Sequence, residues 1–375
     1  MANFKVKNGL QAGRYLLSGG TETLGSVGYS IGDAVYDGVS FSVAAQEITP
    51  YSIFFKPDGT KMYVLGLTGD DVNEYDLSTA WDISTSSFLQ SFSVAAQDAA
   101  PTGVFFKPDG LKMYVTGISG QAINEYNLAT AWDVSTASYL QSFSVAAQDT
   151  VPLETFFKPD GLKMYVLGEV GKDVNEYDLS TAWDISTASF LQNFSVSAQE
   201  VQALGVFFKP DGLKMYIVGA LGDDVDEYDL STAWDISTAS FLQSFSVSAQ
   251  ATFPASIFLK PDGTKMYVIG SNTDNVYSYS TVGYTQTLDL STGNTFSFTP
   301  SGATTVSFTN PPASGLAIGF SVEVIGDGSA ITWPTSVKWP SGVAPTATAS
   351  KEVYAFVTTG GGTSYYGKLA GSDIA

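Results

Sequence analysis

Residues 104–115 read VFFKPDGLKMYV, and this stretch decides the fold. An apolar run ends in Phe105-Phe106, Lys107-Pro108-Asp109-Gly110 follows, and Met113-Tyr114-Val115 alternates after it. Proline pre-sets φ at the first corner of a tight turn and glycine accepts φ > 0, so the stretch predicts a β-hairpin. The motif recurs with its lysine at Lys56, Lys107, Lys158, Lys209 and Lys260, a constant step of 51 residues. FSV[A/S]AQ recurs in phase from Phe41, Phe92, Phe143, Phe194 and Phe245, and Trp81, Trp132, Trp183 and Trp234 mark a third block, [S/A]TAWD[I/V]ST. Three landmarks in one register establish an internal repeat.

Each unit predicts four short strands. Two flank the KPDG turn, a third is represented by Ile123 to Leu128, and a fourth runs from about Tyr139 to Val145. Aromatic and β-branched residues favour strands, and no segment holds a 3.6-residue apolar period. Four antiparallel strands in roughly 50 residues match one propeller blade. The fifth unit ends after its third strand, Val276 to Ser280, while a spare fourth strand lies at residues 36–43. One gap and one orphan predict ring closure into five blades, because an open solenoid would leave pairing-prone edges.

The stretch FKPDGTKMYV resembles the PDG-turn propeller repeat of bacterial and phage surface proteins over residues 36 to about 283. That likeness concerns the fold, since propellers host many activities. From Tyr284 the pattern changes to short alternating strands broken by Gly, Pro and Asn, which predicts an antiparallel β-sandwich over 284–375. Its end, with Trp333-Pro334, Trp339-Pro340, an Ala-Pro-Thr step and a Tyr-Tyr-Gly close, resembles the C-terminal module of phage tail-fibre and other virion structural proteins. The resemblance implies a phage particle protein. Residues 1–34 are Gly-rich and carry Lys5, Lys7 and the chain's only arginine, Arg14. They are read as a virion-docking arm ahead of a propeller at 35–283.

Composition removes several chemistries. Seventeen basic against 37 acidic residues give a net charge of -20, which disfavours nucleic acid and anionic membranes. There is no Cys and no His, so disulfides, thiolate nucleophiles, Cys/His zinc sites and Ser-His-Asp triads are excluded. No apolar run of about 18 residues occurs and the N-terminus shows no secretion signal, so a soluble protein without membrane insertion is expected.

Glu74, Glu125, Glu176 and Glu227 invite a paired-carboxylate hydrolase reading. They recur blade by blade, however, whereas a catalytic pair would be singular and near the central channel. Structural roles are assigned to them, to the repeated methionines and to the repeated tryptophans. The acidic loops follow no calcium-loop spacing, and neither metal nor cofactor is expected. The first and third connections barely change among units, while the second and the inter-blade connections vary. Variation on one rim suggests recognition. The candidate ligand-binding residues are therefore Tyr51, Asp70, Asp71, Asp98, Asp149, Lys172, Asp173, Glu200, Asp223, Asp224 and Phe253. The resulting expectation is a non-enzymatic phage virion protein, a fibre or surface appendage. Its expected partners are other virion proteins and a host-surface glycan or outer-membrane component, with homo-oligomerisation left open. The alternatives are a capsid decoration or tail structural protein and, third, a carbohydrate-active enzyme.

Overall fold

The computed structural model describes residues 21–24, 29–32, 34–281, 284–300, 304–326, 331–340, 342–359 and 361–372. Lys5, Lys7 and Arg14 lie outside them. The fold is all-β and forms two compact units, one over residues 28–281 and one from the flanking segments.

The first unit is a five-bladed propeller of four-stranded antiparallel sheets. Blade 1 comprises Pro50–Phe55, Lys61–Gly66, Asp71–Leu77 and Ser86–Ser93, and blades 2 to 4 repeat it. Blade 5 takes Pro254–Leu259, Lys265–Gly270 and Asn275–Ser280, then closes with Val35–Ser42 in the pairing Val35↔Ser280 to Ser42↔Asn275. Ring closure by the N-terminal strand is thus observed. It also reaches further upstream than the strand itself. In blade 2 the loop before the fourth strand turns at Trp132, whose N–H donates to the Gly110 carbonyl at 3.0 Å and whose carbonyl accepts from Tyr63 of blade 1 at 2.7 Å. In blade 5 Tyr29 does both jobs, donating to Gly263 at 3.0 Å and accepting from Tyr216 of blade 4. Tyr29 even shares the left-handed backbone of the tryptophans, with φ 72 against 66.

Those tryptophans are structural, as expected. Trp132 lies on the turn glycine Gly110, where an added Cβ would sit 2.4 Å from the indole nitrogen. The following aspartate caps a short 3-10 helix: Asp133 accepts from Ser135 N at 3.1 Å. Three of the recurrent glutamates, Glu74, Glu176 and Glu227, accept a backbone N–H from the next blade. Glu176 is buried, accepts from Lys163 and from Gln192 at 2.9 Å, and receives the Ile236 N–H of blade 4 at 3.4 Å. Burial works against the Lys163 ammonium, yet its hydrogen bonds to Asp178 and Glu176 outweigh that and raise its pKa.

The second unit packs two sheets around Leu288, Phe296, Val306, Phe320, Val322, Trp333, Tyr354 and Phe356. One sheet orders Thr21–Leu24, Tyr284–Asp289, Thr304–Thr309 and Ile331–Thr332. The other orders Thr295–Phe298, Ile318–Ile325, Lys351–Thr358, Tyr365–Gly371 and Val337–Lys338. The pairing is mixed where a purely antiparallel sandwich was expected. From Tyr284 to Lys338 successive strands alternate between the sheets, so neighbours within a sheet run the same way, as in Tyr284↔Thr304 and Thr295↔Ser321. Only Ile318–Ile325, Lys351–Thr358 and Tyr365–Gly371 form antiparallel neighbours in the larger sheet.

Candidate functional site: the propeller channel

The first strand of each blade lines the propeller axis, so one sequence column becomes one ring of side chains. The second-last residue of each such strand gives Phe54, Phe105, Phe156, Phe207 and Phe258. Their rings meet edge to face around a closed pentagon, with successive centroids 5.2 to 5.4 Å apart. Edge-to-face pairing suits the ring quadrupole and adds to the burial of each side chain. One step outward, toward the KPDG turns, Pro57, Pro108, Pro210 and Pro261 line the mouth. Two residues inward, about 7 Å along the strand, the column reads Ser52, Gly103, Glu154, Gly205 and Ser256.

Glu154 breaks the five-fold pattern. Its side chain crosses the channel from blade 3 to the two opposite blades, accepting from Ser52 Oγ at 2.9 Å and Ser256 Oγ at 2.9 Å. Glycine at 103 and 205 lets the neighbouring strands approach, since a Cβ at Gly103 would stand 2.8 Å from the Leu153 carbonyl. Ser52 is itself fixed by the Val104 N–H at 3.1 Å. No cation contacts the carboxyl among the described residues. Burial therefore dominates, and despite the two serine hydroxyls it pushes the Glu154 pKa up from 4.5 to about 8. Below that pH the group is a neutral acid and a hydrogen-bond donor.

The cavity around these layers measures about 170 Å³ and is mainly apolar, with Thr155 and Ser256 as its other polar side chains. Among the described residues lining it, Glu154 is the lone carboxylate. A two-carboxylate glycosidase mechanism needs a second one across the scissile bond, so the channel does not supply that chemistry.

The variable rim is built differently from the expectation. Asp98, Asp149 and Glu200 are buried, and their carboxylates are occupied by backbone. Asp98 accepts from the N–H groups of Ala100 at 2.9 Å and Gly120 at 2.7 Å. Asp149 accepts from Val151 and Gly171, both at 2.7 Å. Glu200 accepts from Gln202 at 2.6 Å and Gly222 at 3.0 Å. Each carboxylate thus staples an inter-blade connection to the second connection of its blade. Asp70, Lys172 and Asp223 occupy left-handed turn positions with φ near 50, and their carbonyls accept from Val94, Val196 and Val247. Asp71 meets Ser91 at 3.4 Å, and Asp173 accepts from Asn175 at 2.8 Å. Burial first, then Glu200 and Asp223, raises the Asp224 pKa. Tyr51 and Phe253 are half-buried against the core. Buried Asp226 stands where other blades have Asn73, Asn124 and Asn175; burial pushes its carboxyl to about 6 against the Ser244 hydrogen bond.

No known family matches the chain, and no curated protein sequence matches it. Solved structures do resemble it. One is a candidate 6-phosphogluconolactonase from Bacteroides uniformis, 14% identical, covering 61% of this chain and 65% of that one at a TM-score of 0.40. Another, from Bacteroides fragilis, is 15% identical and covers 62% and 80% at 0.42. The periplasmic gluconolactonase of Pseudomonas aeruginosa is 15% identical and covers 62% and 66% at 0.39. The chain spans just under two thirds of the first and third of these. The stapled acidic rim removes several of the residues on which the expectation of a non-enzymatic host-attachment protein rested. That expectation is withdrawn. At these identities and TM-scores the likeness concerns the propeller alone, and no lactonase activity passes to this chain.

Proposed function

We propose that the propeller is a small-molecule-binding domain whose site is the central funnel opening between the KPDG turns. The observation that carries this reading is Glu154, a single neutral acid at the axis of a channel lined mainly by phenylalanine and proline. A dry apolar cavity of about 150 Å³ accommodates benzene, so about 170 Å³ suits a phenyl or short branched alkyl group. The preferred ligand joins such a group to a hydrogen-bond acceptor, for example a ketone, which accepts the acid's proton in a hydrogen bond. A buried acid of pKa about 8 is also the group that proton transfer to a bound carbonyl requires.

Calorimetric titration with acetophenone and with benzoate tests the reading. The neutral ketone binds and benzoate does not. Affinity falls as pH rises through 8 and Glu154 ionises, and Phe156→Trp blocks binding by filling the funnel. Equal binding of the two ligands, or ketone binding indifferent to both Phe156→Trp and pH, removes the proposal.

A further inference from the structure

The chain carries a large excess of negative charge, and its described lysines are nearly all committed. Eleven pair with carboxylates, including Lys351 with Glu323 at 3.3 Å. Lys172, on the propeller rim, is outside those pairs, and so are Lys338 and Lys368. The last two share one face of the larger sheet in the C-terminal unit. Lys338 pairs with Tyr366 on the adjacent parallel strand, and Lys368 lies two residues beyond Tyr366. Side chains two apart on a strand share a face, so the two ammonium groups flank Tyr366 from two directions. Strand spacing puts their Cα atoms roughly 8 Å apart.

The same face is flat and apolar. Tyr366 is 62% exposed and Val357, its neighbour in register, is 46% exposed. Small residues continue the surface, with Ala355 opposite Lys368 and Gly319 opposite Val357. Pro340 stands at one end of a groove of about 470 Å³, while the Trp339 ring turns inward against Trp333 and Phe356. An exposed aromatic ring on a flat floor suits the C–H face of a sugar, and two uncommitted ammonium groups beside it suit its carboxylates. An acidic peptide would satisfy the charges but leave the ring platform unused.

We infer that this groove, formed by Tyr366, Lys338 and Lys368, binds an anionic carbohydrate of the uronic-acid type. The inference stands apart from the propeller funnel. Titration of the full chain with oligogalacturonate tests it, with neutral dextran oligomers and polyglutamate as comparators. Oligogalacturonate binds in low salt and dextran does not. Lys338→Gln with Lys368→Gln lowers affinity at least tenfold, and Tyr366→Ala lowers it at least fivefold, both with unchanged melting. Failure of oligogalacturonate to bind overturns the inference. So does equal binding of dextran, or binding of polyglutamate at equal strength that Tyr366→Ala leaves intact, which would assign the groove to an acidic peptide.

Discussion

Glu176 and Glu154 are both buried glutamates in blade 3, yet their surroundings are opposite. Glu176 faces outward along the blade and meets an ammonium, an amide and a backbone N–H. Glu154 faces the axis and meets two hydroxyls and no cation. A buried carboxylate needs a compensating charge or it gives up its own. The repeated position is therefore part of the joint between blades, while the singular one is a neutral acid kept at the centre. Repetition marks scaffold, and departure from repetition marks the place where the ring is used for something else.

Breaking the first half of the contrast gives the largest effect. Lys163→Met leaves Glu176 buried without its cation, and removal of one partner from a buried ion pair costs about 3–5 kcal/mol. Denaturant unfolding at pH 7 should show a loss of that order. A variant as stable as the parent at pH 7 would make the interblade pair dispensable.

Glu154→Gln inverts the sign. The native carboxyl has a pKa of about 8 when folded and an ordinary 4.5 when unfolded. Its contribution is fully present below 4.5 and is lost progressively as pH rises to about 8, because the unfolded chain ionises first. Moving a carboxyl that far corresponds to roughly 5 kcal/mol, and imperfect amide hydrogen bonding returns part of it. Glu154→Gln should gain about 2–3 kcal/mol at pH 8 and flatten the stability profile between pH 4.5 and 8. A profile that keeps its slope would place the titration elsewhere.

The propeller was legible because its signal is repetition, and counting strands exposed the closure. Tyr29 was not legible as the fifth tryptophan equivalent, since GYSI shares little with TAWDI beyond an aromatic residue two before an isoleucine. The channel column was printed in the sequence as Ser52, Gly103, Glu154, Gly205 and Ser256. Periodicity alone does not say which column faces the axis, so nothing in the sequence sets Glu154 apart from the other varying positions between blades. The acidic rim had the opposite fault. Glu47, Asp98, Asp149 and Glu200 recur at the same 51-residue step, the very mark that assigned Glu74 and its equivalents to structure. Variation in the flanking residues hid a constant carboxylate whose partners are backbone N–H groups, which no side-chain pattern reveals.

Asp226 gives the smallest and sharpest test, because it departs from the repeat without reaching the axis. Three blades carry asparagine at its position, and two of those amides, Asn73 and Asn124, keep a buried Nδ2 with no partner. Asp226 accepts from Ser244 at 2.5 Å but leaves Oδ2 buried and unpaired. Burial raises its pKa to about 6, with Asp224 and Glu200 adding to the effect, so its contribution falls as pH climbs from 3.8 to 6. Asp226→Asn removes that ionisation and inherits the unpaired amide of its siblings, a cost of about 1–3 kcal/mol. The two nearly cancel. The variant should gain about 1 kcal/mol at pH 7 and lose the slope between pH 4 and 6, while leaving acetophenone binding in the funnel unchanged. A gain as large as that of Glu154→Gln would mean that charge alone, and not position at the axis, separates the two sites.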